Sequence, residues 1–246
     1  MLLAVDIGNT TIALALMQGV KVSMVERIET STNPVALKAA LRKVLKKIKK
    51  PIRLTIICSV VPECAVLVER LLKELSKCDV KVVGRDIAVP MVNKYKNPKQ
   101  VGQDRLVGAY AALRLYGKPL IVVDLGTAIT FDVVSAKGDY LGGVIVPGLR
   151  LSAESLFIKT ALLPQIALKA PKSPIGTTTQ DSMLSGLFYG YGTMCQGMID
   201  LLSKQLKAKP KVVMTGGHTH LMKKFVSPKI RTIDEHLVFK GIAFLG

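Results

Sequence analysis

An α/β fold written twice is predicted from three features of the 246-residue chain. Residues 2–16, LLAVDIGNTTIALAL, can be set above residues 120–134, LIVVDLGTAITFDVV. In each, an apolar run leads into Asp-x-Gly, a small polar pair and a second β-type run. Asp6 then matches Asp124, Gly8 matches Gly126 and Asn9 matches Thr127, while Ile12 matches Ile129 if one residue of slack is allowed. The elements that follow each copy recur in similar order. Finally, 49% of the residues are apolar and 21% charged, with no low-complexity or Pro/Gly/Ser-rich linker, so the chain can bury a substantial core.

Taken in order, the first turn leads to strands near 11–17 and 20–28, then to an amphipathic helix near 34–49. Asn33 or Thr32 is its expected cap, with Pro34 in the first turn. IRLTIIC (52–58) reads as a buried strand, 62–76 as a helix and VKVVG (80–84) as another strand. A looser segment precedes a helix near 102–116. The second half predicts strands near 120–124, 128–134 and 139–146, then helices near 150–161 and 181–206. VVMTGG forms a strand and turn, followed by a short helix, the strand KIRTI (229–233) and a terminal helical segment. Each half thus reads βββαβαβα, the second with an insertion around 162–180. Gly117-Lys-Pro punctuates the boundary, which divides the chain into 1–117 and 118–246. Two such halves facing each other across a nucleotide cleft give the actin-like phosphotransferase architecture, related to ribonuclease H-like folds.

Composition narrows the function classes. The apolar opening MLLAVDIGNTTIALALM has no basic start and is interrupted by Asp6, Gly8 and Asn9, so it is not read as a signal peptide. No uninterrupted apolar run is long enough to span a bilayer, and a soluble, cytoplasmic protein without a membrane partner is expected. Cys58, Cys64, Cys78 and Cys195 are too few and scattered for a disulfide framework, and the Cys58/Cys64 pair lacks partners for a zinc site. The net charge is +18, much of it in Arg42, Lys43, Lys46, Lys47, Lys49, Lys50 and Arg53 near the end of one helix. With no zinc finger, helix-turn-helix or RNA-type aromatic motif, this is read as a solvated helix face; no specific nucleic acid is expected.

The Asp-x-Gly turns carry the chemistry. Glycine lets the backbone turn sharply and approach a ligand closely. The following N–H groups and hydroxyls can donate to phosphate oxygens, and an Asp at the strand end can hold a cation that neutralises them. One copy would read as an ordinary hairpin turn; two copies after matching strands do not. The chain has neither a P-loop nor a strand-linked G-x-G-x-x-G. TGGH (215–218) suits close approach to an adenosine, and a plain strand-to-helix turn explains it almost as well. His218 and His220 are read as part of an ordinary surface turn. Asp104, in VGQDRL (101–106), lies near a helix start, where it is either the group that takes the acceptor's proton or a cap of the first turn.

Along nearly its full length the chain resembles the type III pantothenate kinases. The resemblance rests on DIGNT (6–10), YKNPKQVGQDR (95–105), DLGTAITFD (124–132), GGVIVPG (142–148) and TTQDSMLSG (178–186). It implies ATP-dependent phosphorylation of the primary hydroxyl of pantothenate, the first committed step towards coenzyme A. It implies Asp104 as general base, with Tyr95, Gly102, Gln103, Asp104 and Arg105 lining the pantothenate site and Thr179 contacting the substrate. Asp6, Ile7, Gly8, Asn9, Thr10, Thr11, Ile12 and Ala13 would form the first nucleotide-phosphate loop, and Thr127 the second. Asp124 resembles the ligand of a monovalent cation, K+ or NH4+, needed alongside Mg2+. The family's homodimer, with a substrate pocket completed at the subunit interface, is implied as well. Thr11 and His218 depart from the family's usual residues. Another small-molecule kinase of the same fold, or an inactive nucleotide- or nucleic-acid-binding regulator, are the alternatives; a substrate panel separates the first and loss of turnover the second.

Overall fold

The computed structural model describes residues 1–226, 230 and 232–246. They form two compact units, residues 1–115 with 236–246, and residues 116–235. The last eleven residues therefore cluster with the first unit, whereas the sequence partition placed them with the second half.

The first unit opens with β1 (Leu2–Ile7), β2 (Thr11–Gln18) and β3 (Lys21–Glu29), followed by α1 (Pro34–Lys47). Asn33 caps α1, its Oδ1 accepting from the N–H groups of Val35 and Ala36, and Pro34 takes the first turn, where no N–H is needed. Then come β4 (Leu54–Ser59), α2 (Pro62–Ser76), β5 (Asp79–Val82) and α3 (Gln103–Tyr116). The second unit repeats the plan with β6 (Leu120–Leu125), β7 (Ala128–Val134), β8 (Tyr140–Pro147) and α4 (Leu149–Lys159). The helix expected near 181–206 runs as α5 (Thr179–Ser185), a π-helical turn at Gly186–Gly190 and α6 (Tyr191–Leu206). β9 (Lys211–Thr215), α7 (Thr219–Met222), β10 (Thr232–Ile233) and α8 (Leu237–Ala243) complete the chain. Of the expected strand 229–233, Lys229 and Arg231 lie outside the described residues.

The duplication is complete at the level of the sheets. One has the order β3-β2-β1-β4-β5 and the other β8-β7-β6-β9-β10. In both, the first three strands form an antiparallel meander, and the first strand pairs in parallel with the strand that follows the helices. The first sheet is covered on both faces. Leu37, Leu41, Val44, Val68 and Leu72 of α1 and α2 pack on Leu3, Val5 and Ile57. Val107 of α3 and Phe239 and Ile242 of α8 pack on Ala4, Ala15 and Ile56. Burial on both faces explains why β1 and β4 read as continuous apolar runs rather than alternating ones. In the second unit, Ile121, Val123, Ile129 and Phe131 bury against Leu149, Leu184, Phe188, Cys195 and Ile199.

Candidate active site

Both Asp-x-Gly turns sit at the end of the central strand of their sheet, and their hydrogen bonds correspond. In the first, the Gly8 N–H donates to the Thr11 carbonyl at 3.0 Å; in the second, the Gly126 N–H donates to the Ala128 carbonyl at 3.1 Å. Ile7 pairs with Ile12, but Leu125 pairs with Ile129, so the second turn is one residue shorter. That is the slack needed to align the two sequences. Asn9 and Thr127, matched in the repeat, are both exposed at the turn tips, while Asp6 and Asp124 are half-buried behind them. Ile7 and Ile12 are buried in the core, so those two positions can serve a ligand only through the backbone.

The residue after the third strand clamps each turn. The Thr30 N–H donates to the Thr10 carbonyl at 3.2 Å, and its hydroxyl to the Gly8 carbonyl at 2.7 Å. The matching Gly148 N–H donates to the Thr127 carbonyl at 3.0 Å. A Cβ on Gly148 would collide with the carbonyl oxygens of Gly126 and Thr127, so only glycine fits there. Sequence reasoning passed over Thr30; its signal is its place in the repeat, one residue beyond β3 as Gly148 is beyond β8.

Asp104 occupies the first turn of α3 in the first unit, with Gly102, Gln103, Arg105 and Tyr95 nearby in sequence. Its Oδ1 accepts from the Arg105 N–H at 2.8 Å. Burial pushes its carboxyl above the usual range, opposed by that N–H and by the Arg105 charge. Two glycines shape the surroundings. A side chain on Gly102 would meet Asp104 Oδ1 at 2.5 Å, and one on Gly84, at φ +84°, would meet Gln103 Cδ at 2.8 Å. The Gly84 loop is anchored by Arg85, which reaches both carboxylate oxygens of Glu69 at 2.8 Å and also binds Asp86. Cys58, opposite Asp6 in the β1–β4 register, is fully buried. Burial first, then the charges of Asp6 and Asp104, drive its thiol well above its normal pKa. The charges of Asp6 and Asp104 thus both act on a buried thiol that stays protonated, which makes it a poor nucleophile.

Asp124, Thr127 and Thr179 belong to the second unit. Thr179, exposed, opens α5, whose cap is Thr178. Gly216, at φ +98°, lies so close to Asp124 Oδ1 and the Leu125 backbone that no Cβ could be accommodated. Among the described residues no three His, Cys, Asp or Glu side chains gather as a metal site. Single carboxylates behind turns rich in N–H and hydroxyl donors suit Mg2+, which is characteristically held by one or two carboxylates plus substrate phosphates. The donor set thus fits a nucleotide and its metal. His218 is not on an open surface turn as expected: it is half-buried, its backbone N–H donating to the Leu125 carbonyl at 3.0 Å.

The family model for type III pantothenate kinase matches residues 2–201. The chain belongs to the type III pantothenate kinase family. Among curated members, the type III pantothenate kinase of Halalkalibacterium halodurans is 37% identical, covering 100% of this chain and 98% of its own. That of Persephonella marina is 38% identical over 98% and 96%. Solved structures of similar fold include a putative Baf family transcriptional activator from Campylobacter jejuni (TM-score 0.58, 20% identity, 99% and 96% coverage). A ROK family glucokinase from Streptomyces griseus follows the same fold (TM-score 0.54, 11% identity, 99% and 98% coverage). These likenesses agree with the duplicated sheets in placing this pantothenate kinase family member in the two-domain actin-like fold.

Proposed function

We propose that the protein phosphorylates pantothenate at its primary hydroxyl with ATP, yielding 4'-phosphopantothenate at the start of coenzyme A synthesis. Full-length identity of 37% and 38% to type III pantothenate kinases carries the reaction. The placement of Asp104 carries the assignment of roles. Asp6 to Ala13 and Thr127 bind the nucleotide, and Tyr95, Gly102, Gln103, Arg105 and Thr179 the pantothenate. When bound, Mg–ATP supplies the phosphoryl group and the metal charge that steadies it. Asp104 orients the acceptor hydroxyl and takes its proton on a carboxylate oxygen, and its raised pKa brings it nearer to the strength that a base working near neutrality needs. Arg105 offers a fixed positive charge beside it. Asp124 holds a monovalent cation, K+ or NH4+.

We further read the protein as a homodimer, supported by apolar side chains left exposed on α4: Leu151 at 45%, Phe157 at 44% and Ile158 at 69%. Sedimentation would show a species of twice the chain mass. The reaction itself is tested by coupling ADP release to added pantothenate. Turnover that appears only with pantothenate supports the assignment, and turnover indifferent to it refutes it.

A further inference from the structure

Two carbonyls of the turn between β1 and β2 are held by a single residue. The Thr30 hydroxyl donates to the Gly8 carbonyl at 2.7 Å, and the Thr30 N–H donates to the Thr10 carbonyl at 3.2 Å. The peptides Gly8–Asn9 and Thr10–Thr11 are both trans. In a planar trans peptide the C=O and the following N–H point in opposite directions. With the Gly8 and Thr10 carbonyls fixed on Thr30, the Asn9 and Thr11 N–H groups are turned away from it. The same two bonds draw two carbonyl oxygens away from the side to which those N–H groups point, where an anion would otherwise meet them and be repelled. Successive N–H groups aimed outward from a turn are what a phosphate requires.

Thr30 is itself firmly placed. It continues β3, whose Glu29 pairs with Thr11. The residue after it is held from two sides. The buried Cys64 thiol of α2 donates to the Ser31 carbonyl at 3.7 Å, and the Ser31 hydroxyl accepts from the N–H of Asn33, the cap of α1, at 3.1 Å. The clamp on the turn is thus tied to both helices that cover the first sheet. The internal repeat supplies a control. Gly148 takes the place of Thr30 in the second unit and makes only the backbone bond, to Thr127, with no room for a side chain. The second turn is one residue shorter. The longer turn has more conformational freedom to lose, and it is the one that carries the additional hydroxyl bond.

We propose that Thr30 is a positioning residue for the first phosphate turn, holding the Asn9 and Thr11 N–H groups in their binding direction before the nucleotide arrives. The inference rests on the reading that residues 6–13 bind the nucleotide.

The test compares wild type with Thr30→Val, which keeps the branched shape and loses the hydroxyl, and with Thr30→Ser, which keeps the hydroxyl. Nucleotide affinity is measured by calorimetry with an unreactive ATP analogue and Mg2+, and KM is measured for both substrates. Hydrogen exchange is followed in peptides covering residues 6–13, with and without the analogue. For Thr30→Val, exchange in the empty protein should accelerate in those peptides. Nucleotide affinity and the KM for ATP should worsen by roughly three- to tenfold, the weight of one neutral hydrogen bond, while the KM for pantothenate stays put. Thr30→Ser should recover most of the loss. If the analogue protects residues 6–13 in wild type while Thr30→Val changes neither affinity nor exchange, Thr30 is not a brace and the proposal is overturned. Equal losses in both KM values would overturn it too, because they would mark a general disturbance of the fold. If the analogue binds wild type without protecting residues 6–13, the nucleotide reading of the turn fails, and the brace with it. A Thr30→Val protein that does not fold is replaced by Thr30→Ser against Thr30→Ala, where equal affinities would likewise overturn the proposal.

Discussion

A Cβ placed on Gly102 would stand 2.5 Å from Oδ1 of Asp104, so the carboxylate rests against a neighbour that has no side chain. Val60 Cγ1, at 3.4 Å from the same point, closes the other side. Gly102→Ala should therefore push the carboxylate out of place. We expect kcat to fall at least tenfold, with little change in nucleotide affinity and only a modest shift in melting temperature. Unaltered kcat in steady-state assays would show that the position of Asp104 does not matter to turnover.

Asp104→Asn separates basicity from shape. Turnover should drop by roughly 10²–10⁴-fold, the range for losing a general base, while calorimetry finds ATP affinity nearly unchanged. The same variant should be more stable than wild type at pH 7. Burial raises the Asp104 pKa above its ordinary 3.8, so the folded state prefers the proton. The contribution to stability is present below that value and lost as pH rises through the raised one. The gain in melting temperature should vanish in acid. An equal gain at all pH values would mean that Asp104 is not held against its charge.

Glu69 works in the opposite direction. Hydrogen bonds from Arg85 and Lys73 hold its pKa at about 2, below its ordinary 4.5. Its contribution is present above 4.5 and lost as pH falls towards 2. Glu69→Gln should cost about 1–2 kcal/mol at pH 7, since Arg85 and Lys73 are half exposed and partly screened. Denaturant melts at pH 7 and pH 3 should show the difference shrinking in acid. A constant difference would assign it to packing.

Cation dependence follows from Asp124. Activity should require Mg2+ and rise strongly with K+ or NH4+ over Na+, and Asp124→Asn should blunt that preference along with turnover. Equal initial rates in sodium and potassium buffers would remove the monovalent role.

Arg42, Lys43, Lys46, Lys47, Lys49, Lys50 and Arg53 are all exposed, and Lys47 pairs with Glu26 at 2.8 Å. A solvated basic face of this kind should retain DNA at low salt and release it as counterions compete. Fluorescence anisotropy against salt is the measurement. Sequence-specific binding that survives physiological salt would mark a nucleic-acid site.

The amino-acid sequence alone determined the parts whose cause is local. Helix α2 begins at Pro62 and ends at Ser76 as its apolar spacing requires, and Asn33 caps α1 through bonds to residues two and three positions away. The Asp-x-Gly repeat was legible because each turn is a run of adjacent residues, and its one-residue slack proved to be a real difference in turn length. Only the tertiary structure decided which residues stand around those turns. Thr30 on Gly8, Gly84 on Gln103, Gly216 on Asp124 and the His218 N–H on Leu125 are contacts across roughly 19 to 93 positions of sequence. The return of α8 to the first sheet spans more than a hundred. Periodicity and caps act within a few residues, so a sequence displays them directly. Which glycine must lack a side chain, and which histidine meets a carbonyl, is set by how packed sheets and helices bring distant strand ends together, and no local pattern carries that information.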